Sequence, residues 1–414
     1  MKVLIVTQYF WPEFFIINDL VETLVSQGHT IKVLTGKPNY PDGQLFDGYS
    51  QHGTKQELFA KKASVFRAPL CPRRTGDAKD LLLNYGSFIW NGFRFFPPAV
   101  KNEHYDAILV FSPSPITAAI PAIYLRWKLK THLVIWVQDL WPESLSATGF
   151  IKNKIALKLI SYLVKGIYAC SDTLLVQSQA FIKPIEVLAK QDKIQYFPNA
   201  IHDMKNAILD IDGDNVLSEE LKKLLEVNFC IVFAGNIGKA QSIETLISVA
   251  VKLRSRPSIK IVFVGKGSML EWAQQEVARL HLKNVVFTGA FPINVMPSIF
   301  SSAQALLVSL KSDKVFSYTI PSKVQAYMSA GRPIIASIDG EAARIINEAN
   351  AGLTCAAGDV NGLVERIVQM FKMSQEDRGI LGENGRRYFL EHFEIERQCK
   401  KLVEIIEKRI GKKR

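Results

Sequence analysis

Short, strongly apolar runs recur along the chain, and segments with helical spacing separate them. Residues 2–7 (KVLIVT) and 31–35 (IKVLT) are β-branched runs of strand length, and residues 12–28 between them place apolar side chains at helical spacing. Further runs of strand length follow at residues 107–111, 133–137 and 173–176. Alternating strands and helices are typical of a parallel sheet covered by helices. The sequence therefore predicts an α/β domain over residues 1–200.

The same alternation restarts in the second half of the chain. Strands are predicted at residues 229–234, 259–265, 285–289, 305–309 and 333–337. They indicate a second domain over residues 229–393, joined to the first by an acidic linker at 201–228. Residues 394–414 are predicted to form a C-terminal helix with a basic tail, and its return to the first domain is left open. Two Rossmann-like domains facing a cleft are expected, with ligands bound beyond the carboxyl ends of the strands.

Composition narrows the class of protein. Hydrophobic residues make up 48% of the 414 residues, which is typical of a packed globular chain. The five cysteines are scattered and form no CxxC pair, so neither a disulfide framework nor a zinc site is expected. A reducing, cytoplasmic compartment is predicted. No apolar run approaches the roughly 20 residues that cross a bilayer, so an integral membrane protein is not expected.

The formal net charge of +12 predicts an anionic partner. Nucleic acid is not expected, because no helix-turn-helix, zinc-finger or RNP pattern accompanies the charge. Residues 73–101 interleave basic with aromatic and aliphatic side chains, and residues 152–165 repeat this pattern. The pattern suits a helix lying in an anionic membrane interface. A helix buried against the sheet is the alternative.

Glycine turns follow two strands of the second predicted domain. Residues 235–239 read GNIGK and residues 265–268 read GKGS. Glycines at such turns let backbone N–H groups approach a phosphate at the start of the next helix. Neither turn is a complete dinucleotide fingerprint, so each is a weak signal by itself. Lys239 could neutralise a diphosphate there, or be an ordinary surface lysine.

A further candidate for anion binding lies in residues 321–333, which read PSKVQAYMSAGRP. Ser322 and Lys323 fall in the first turn of the helix that Pro321 opens. Since the positive end of a helix dipole disfavours a cation, a lysine there suggests an anion held by its ammonium group and by free backbone N–H groups. The alternative is a solvated lysine with a flexible stem.

In the first predicted domain, Asp139 follows a strand within VIWVQDLWPES, at the carboxyl end of the sheet. A carboxylate at this position could orient a sugar hydroxyl or act as a base, whereas a capping or turn aspartate would be structural. The loop of residues 8–19, which ends with Asn18 and Asp19, is expected at the same end. So is the turn of residues 37–43. Aromatic side chains among polar groups in these loops suit a carbohydrate.

Metal ligands are not predicted. The sequence Asp212-Gly213-Asp214 mimics the DxD motif of some sugar-nucleotide enzymes, but it lies in the acidic linker and follows no strand. The seven histidines are dispersed, without an HExxH pattern or a His/Cys cluster. Neither a metal nor another cofactor is therefore expected.

Four segments are specific in combination. They read VTQYFWPEFFIINDLVETLVSQGHTIKVLTGKPNYPDG, WVQDLWPESLSATG, FAGNIGKAQSIETLI and IPSKVQAYMSAGRPIIASIDGE. With them the chain resembles the bacterial glycosyltransferases of family four, which have the GT-B fold. Within that family it is similar to the WbuB group, enzymes of O-antigen or capsule assembly associated with transfer of N-acetyl-L-fucosamine. The resemblance covers nearly the whole chain.

The resemblance implies a retaining transfer from a UDP-sugar to an undecaprenyl-diphosphate-linked saccharide, without a metal. The enzyme would act at the cytoplasmic, anionic face of the inner membrane, with the acceptor on the first domain and the donor mostly on the second. Matching motifs place Asp139 near the reacting sugar and Ser322 and Lys323 at the phosphate-facing helix start. The residues placed near the diphosphate are Asn236, Gly238 and Lys239, and Lys266 is a further candidate for substrate binding.

Departures from the family pattern alter the expected donor site. Tyr318 and Ala326 stand where members of the family usually have two glutamates. Asn236 replaces the usual arginine and Gln241 the usual lysine. We therefore expect Glu341 to bind the ribose and Lys239 to supply a catalytic cation. A UDP-sugar 2-epimerase of similar fold and a non-catalytic membrane-associated assembly factor are the alternative functions.

Overall fold

The computed structural model describes residues 1–147, 151–204 and 217–411. The chain divides into two compact units. Residues 1–200 and 395–414 form the first unit, and residues 201–394 form the second.

Each unit is built on a sheet whose strands lie where short buried runs occur in the sequence. The strands are β1 (Lys2–Thr7), β2 (Thr30–Thr35), β3 (Lys55–Phe59), β4 (Ala63–Arg67), β5 (Ala107–Ser112), β6 (His132–Val137), β7 (Thr173–Val176), β8 (Ile194–Tyr196), β9 (Phe229–Ala234), β10 (Ile259–Val264), β11 (Val285–Gly289), β12 (Ala305–Ser309), β13 (Ile334–Ser337) and β14 (Gly352–Cys355).

The helices cover these sheets. They are α1 (Ile16–Ser26), α2 (Ala78–Ala99), α3 (Ala119–Leu129), α4 (Glu143–Ala147), α5 (Lys154–Cys170), α6 (Ile182–Glu186), α7 (Glu219–Val227), α8 (Ile243–Lys252), α9 (Leu270–Arg279), α10 (Met296–Ser302), α11 (Lys314–Ser317), α12 (Ser322–Ala330), α13 (Glu341–Glu348), α14 (Val360–Lys372), α15 (Gln375–His392) and α16 (Ile395–Gly411). None of the helices within the described ranges is long and apolar enough to cross a membrane.

The first sheet has the order β3-β4-β2-β1-β5-β6-β7-β8. All neighbours pair in parallel except β3 and β4, which are antiparallel. Helix α16 returns from the far end of the chain to this unit, where Leu402 and Ile406 pack in one core with Ile17 and Leu24 of α1. The amphipathic periods of α1 and α16 account for this contact, since each buries one apolar stripe.

The second sheet is wholly parallel, with the order β11-β10-β9-β12-β13-β14. Strand β9 supplies alternate side chains to two cores. Val232 packs beneath α7, α12 and α13, whereas Ile231 and Phe233 pack beneath α8 and α14. The strand order reverses between β9 and β12, and the crevice beyond the carboxyl ends of such a pair is the usual ligand position in doubly wound sheets.

The structure contains the ten predicted strands, with ends shifted by at most one residue, and four more, β3, β4, β8 and β14. It also differs in the acidic stretch predicted as a linker over residues 201–228. Part of that stretch is α7, whose Leu221 and Leu225 are buried in the second unit. The Asp212–Asp214 motif lies outside the described residues.

Candidate functional site

In the second unit, two glycine turns meet at the carboxyl edge of the sheet. The N–H of Ile237 donates to the carbonyl of Lys266 at 2.8 Å, which joins the turn after β9 to the turn after β10. Gly265 has φ +145°, and a Cβ there would lie 1.9 Å from the carbonyl oxygen of Gly235. Only glycine permits this close approach of the two backbones. The result is an exposed rim of backbone that carries Asn236 and Lys266.

Helix α12 approaches the same edge because Tyr327 anchors it. The Tyr327 hydroxyl is buried and accepts from the N–H of Ala234, the last residue of β9, at 2.9 Å. Lys323 lies one turn before Tyr327, so its stem extends towards the turn after β9. A Cβ on Gly235 would lie 3.0 Å from Cε of Lys323, and Gly235 has φ +110°. Glycine is therefore required at position 235 as well.

The ammonium group of Lys323 is buried at this edge. Its Nζ lies 3.7 Å from the centroid of the Phe233 ring, and among the described residues it has no hydrogen-bond partner. Burial lowers the pKa of Lys323 to about 7. A cation removed from water without an acidic partner is costly, so this position suits a ligand that brings negative charge.

Four of the other predicted residues of this edge are exposed, whereas Gly238 is buried. Ser322 begins α12, and Asn236, Lys239 and Lys266 lie on the two turns. The N–H of Gly238 donates to Oε1 of Gln241 at 3.2 Å, and this contact closes the turn. The structure thus brings the glycine turns and the start of α12 together.

Glu341 begins α13 at the carboxyl end of β13 and is 5% exposed. Both of its carboxylate oxygens accept from Arg344, at 3.0 Å each. Ribose binding by Glu341 would have to coexist with this pairing. Ala326, at the other departure from the family pattern, packs against the core.

In the first unit, Asp139 lies just beyond β6 and is half-buried. Burial raises the pKa of its carboxyl group, while hydrogen bonds from Ser144, Trp141 and Ser114 oppose that rise. The indole Nε1 of Trp141 also donates to Oγ of Ser114 at 3.2 Å. The carboxylate is therefore held in a fixed position but remains poorly solvated, as a group that acts on a substrate hydroxyl requires.

Aromatic rings gather at the same edge, beyond β1 and β2. Tyr9 stacks on Phe15 with 5.3 Å between ring centroids, and Tyr40 lies 5.3 Å from Phe15. The guanidinium carbon of Arg73 lies 5.1 Å from the Tyr40 ring centroid, and its Nη1 donates to the Tyr9 hydroxyl at 3.1 Å. A partly exposed aromatic surface beside a guanidinium suits a sugar that carries a phosphate.

Two buried side chains hold the loops beneath these rings. Glu13 is 1% exposed, and its carboxylate accepts from the N–H groups of Phe10, Asn39 and Tyr40 at 3.0, 2.8 and 2.8 Å. Burial raises the pKa of Glu13 to about 7. Asn18 accepts from the N–H of Trp11 and donates to the carbonyl of Glu13, so its amide orders the loop. Asp19 follows in the first turn of α1.

The sequence indicated neither Glu13 nor Arg73 as a site residue. The WPEFF segment carries no periodic signal, and a glutamate in a loop is ordinarily solvated. Only the folded structure shows that three backbone N–H groups converge on Glu13.

Helix α2, within the basic aromatic stretch, has two apolar faces. One face packs into the unit through Leu81, Phe88 and Phe96. The opposite face exposes Leu82 and Trp90 by 71% each and Phe93 by 39%. Exposed basic and apolar side chains recur on α5, which carries Lys154, Lys158, Ile155, Leu159 and Tyr162. The inner face agrees with the interpretation of a helix buried against the sheet, and the exposed face leaves the membrane interpretation a prediction.

Over residues 1–147, 151–204 and 217–411, no group of three or more histidine, cysteine, aspartate or glutamate side chains could hold a metal ion. All five cysteines lie within these ranges and are free thiols.

Comparison with known proteins finds a matching family model and similar proteins. Residues 228–373 match the family model described as glycosyl transferases group 1. WcaI of Escherichia coli (strain K12), provisionally named as a colanic acid biosynthesis glycosyl transferase, is 25% identical over 341 residues, which cover 80% of this chain and 82% of WcaI. WbjE of Pseudomonas aeruginosa, named as a probable glycosyltransferase, is 24% identical over 329 residues, which cover 76% of this chain and 80% of WbjE.

Solved structures extend the likeness to the fold of both units. Anabaena Alr3699/HepE in complex with UDP matches with a TM-score of 0.69 at 13% identity, over 99% of this chain and 100% of that one. An α,α-trehalose-phosphate synthase (UDP-forming) from Burkholderia xenovorans in complex with glucose-6-phosphate matches with a TM-score of 0.72 at 12% identity, over 98% and 100%.

The fold and the group 1 domain define the class of the protein. It is a glycosyltransferase with the two-domain GT-B fold. Within that class it is similar to WcaI and WbjE over about four fifths of its length.

Proposed function

We propose that this glycosyltransferase moves a sugar, with retention of configuration, from a UDP-sugar to a saccharide linked through a diphosphate to undecaprenol. The second unit would bind the donor and the first unit the acceptor. The sugar would be N-acetyl-L-fucosamine or a related amino sugar, as in the WbuB group that the sequence resembles.

The buried ammonium group of Lys323 is the observation that carries this proposal. It lies beside the Gly235 turn, at the point where the strand order of the second sheet reverses. A diphosphate bound there would pair with Lys323 and accept from free N–H groups at the start of α12. A UDP complex of a GT-B protein with a TM-score of 0.69 supports UDP as the nucleotide.

Asp139 and the aromatic cluster of Tyr9, Phe15 and Tyr40 support an acceptor in the first unit. Asp139 would orient the acceptor hydroxyl, and Arg73 would approach the acceptor diphosphate. The leaving diphosphate of the donor would help to deprotonate that hydroxyl, so the mechanism needs no protein nucleophile. Lys239 would stabilise negative charge on the leaving group, and neither a metal nor another cofactor would take part.

The pathway follows from the acceptor and from the relatives. WcaI is named for the biosynthesis of colanic acid, which supports a role in bacterial surface polysaccharide such as O-antigen or capsule. The exposed apolar and basic faces of α2 and α5 would hold the enzyme on the cytoplasmic face of the inner membrane, where an undecaprenyl-linked acceptor is available.

A thermal-shift screen tests the donor half of this proposal. A ligand that binds only the folded protein raises the unfolding temperature. UDP and UDP-sugars should do so, and GDP- and dTDP-sugars should not. Stabilisation by GDP-sugars alone would contradict the proposed donor.

A second assay tests the absence of a metal. Transfer to a lipid-linked acceptor should proceed at an unchanged rate in excess EDTA. Loss of transfer in EDTA with recovery on addition of manganese would refute the metal-free mechanism.

A further inference from the structure

An apolar groove of about 470 Å³ lies in the first unit and reaches Asp139. Its walls are α2, through Leu81 and Ile89, and α5, through Ile160 and Leu163. Its volume is within the range of pockets that hold drug-sized ligands. The lining is mostly aliphatic and aromatic, so the groove suits a hydrocarbon more than a sugar.

Part of the groove lining is polar. It includes Asp139, Ser114 and Tyr85. Tyr85 hydrogen-bonds Tyr9, whose hydroxyl accepts from Nη1 of Arg73. The charges of both Asp139 and Arg73 reach Tyr85. A carboxylate and hydroxyl groups therefore line the groove, and the guanidinium of Arg73 is linked to them through Tyr9.

A ligand that fits this arrangement is an amphiphile with an anionic head. Its hydrocarbon would fill the groove, and its head would lie among Tyr85, Tyr9 and Arg73. A membrane phospholipid satisfies the hydrocarbon requirement, but its presence beside Asp139 would block the carboxylate proposed to act on the acceptor. The occupant is therefore expected to be part of a substrate.

We propose that this groove binds the first isoprene units of the prenyl-diphosphate acceptor, next to the diphosphate. This proposal rests on the proposed function and assigns a binding site to the lipid part of the acceptor. The remainder of the chain would pass along the exposed apolar face of α2, towards Leu82 and Trp90, into the membrane. Lys154 and Lys158 on α5 lie exposed near lipid headgroups in this arrangement.

Gly86 offers a direct test. It lines the groove within α2, and a Cβ there would meet no heavy atom within 4 Å. A leucine at position 86 would therefore project into open space without disturbing the core, and a helix interior favours leucine over glycine. Gly166 in α5 is a matched control, because a Cβ there also meets nothing within 4 Å and Gly166 does not line the groove.

Binding of farnesyl diphosphate, measured by calorimetry below its micelle concentration, is the experiment. The wild type and Gly166→Leu should bind it equally, and Gly86→Leu should bind it at least tenfold more weakly. Inorganic diphosphate should bind all three proteins alike and less tightly. Equal affinity of the three proteins for farnesyl diphosphate would overturn the proposal. Competition by lauroyl lysophosphatidylglycerol at equal strength would do so too, since the groove would then be a membrane-lipid site.

Photo-crosslinking keeps the proposal testable if Gly86→Leu does not fold. A diazirine analogue of farnesyl diphosphate should label α2 and α5 of the wild type, with excess farnesyl diphosphate suppressing the label. Labelling elsewhere in the first unit would overturn the assignment. Neither binding nor labelling requires transfer, so a wild type that labels in the groove but transfers no sugar would refute the proposed function and leave the groove site standing.

Discussion

At the scale of single residues, Lys323 carries most of the proposal for the donor site. Its stem lies against Gly235, its ammonium group lies over Phe233, and burial lowers its pKa to about 7. An unpaired buried cation destabilises a folded protein. A bound anion would offset this cost, and the residue makes two predictions possible.

The first concerns the pH dependence of UDP affinity. In the unliganded protein Lys323 loses its proton near pH 7, whereas a bound diphosphate would hold that proton to higher pH. The complex then binds one more proton than the free protein, so affinity must fall as pH rises. We expect UDP binding to weaken by up to about tenfold per pH unit between about pH 7 and 9. Calorimetry should show this slope in the wild type and no measurable UDP binding in Lys323→Met at any pH in this interval. Parallel profiles would exclude Lys323 from the diphosphate site.

The second concerns stability without ligand. Between about pH 7 and 10.5 the unfolded chain holds a proton on Lys323 that the folded chain has released. Burial of this lysine therefore lowers the free energy of unfolding within that interval, and it does so by the full amount below about pH 7. Lys323→Met should therefore raise the unfolding temperature near neutral pH, by about 2–4 °C for each kcal/mol recovered. It should also abolish the rise that UDP produces. Lys266→Met, at an exposed lysine on the neighbouring turn, is the control and should leave the unliganded unfolding temperature unchanged. A lower unfolding temperature for Lys323→Met would show that the lysine has a stabilising partner.

Asp139 gives a third residue-scale prediction. Asp139→Asn should lower the rate of transfer by about 10²–10⁴, because an amide cannot accept the hydroxyl proton or orient it as a carboxylate does. UDP affinity should stay unchanged, since the nucleotide is proposed to bind the other unit. The unfolding temperature should not fall, because burial already disfavours the charged form of Asp139. A variant that retains transfer within a factor of about three would assign Asp139 a structural role.

At the scale of elements, α2 combines a core helix with a surface that suits a membrane. Asp77 caps it by accepting from the N–H of Asp80 at 2.9 Å, and Leu81 and Phe88 bury its inner face. Its outer face exposes Leu82, Trp90 and Phe93. Exposed apolar side chains grouped on one face are typical of a contact with a membrane or another protein.

Replacing Leu82, Trp90 and Phe93 together by serine should abolish flotation with anionic vesicles and leave the unfolding temperature nearly unchanged. Each of these side chains is exposed, so the loss of apolar surface acts on the membrane-bound state and not on the core. Trp272→Ser with Ile293→Ser, at exposed apolar positions of the second unit, is the matched control and should float like the wild type. Undiminished flotation of the α2 variant would show that α2 is not the membrane contact.

The sequence predicted elements where periodicity is strong and missed them where it is weak. Strands β1, β9 and β12 are short β-branched runs, and their predicted and observed bounds coincide. Helix α15 was not predicted, because its buried Leu381 and Phe389 are spaced among charged residues without a clear apolar stripe. The edge strand β3 and its neighbour β4 alternate less clearly and pair only once the chain has folded.

The candidate site was predictable to a similar extent. Asp139 could be chosen because it follows a predicted strand at the carboxyl edge of a sheet, where ligands bind. Lys323 could be chosen because it falls in the first turn of a predicted helix, where a cation opposes the helix dipole. The pairing of Glu341 with Arg344 depends on side-chain geometry, and so do the hydrogen bonds that Glu13 accepts from backbone N–H groups. The apolar groove depends on the packing of α2 near α5, which no local pattern records.

At the scale of the whole molecule, the chain passes from the first unit to the second near residue 200 and returns near residue 395. Helix α16 then completes the core of the first unit. The proposed donor residues lie in one unit and the proposed acceptor residues in the other. A substitution in one unit can therefore abolish binding of the donor or of the acceptor alone, whereas transfer needs both units. Lys323→Met should lose UDP binding and keep vesicle flotation, and the α2 variant should do the reverse.

Mass spectrometry of the lipid product tests the central claim most directly. Wild-type protein would be incubated with a UDP-amino sugar and an undecaprenyl-diphosphate-linked monosaccharide in anionic vesicles. The account predicts a product heavier than the acceptor by one glycosyl residue, with one UDP released per product, and Asp139→Asn should form both at least about a hundredfold more slowly. An isomerised UDP-sugar formed without any acceptor would identify an epimerase. UDP binding without a lipid product, for every UDP-sugar and acceptor saccharide tried, would contradict transfer to a lipid-linked acceptor.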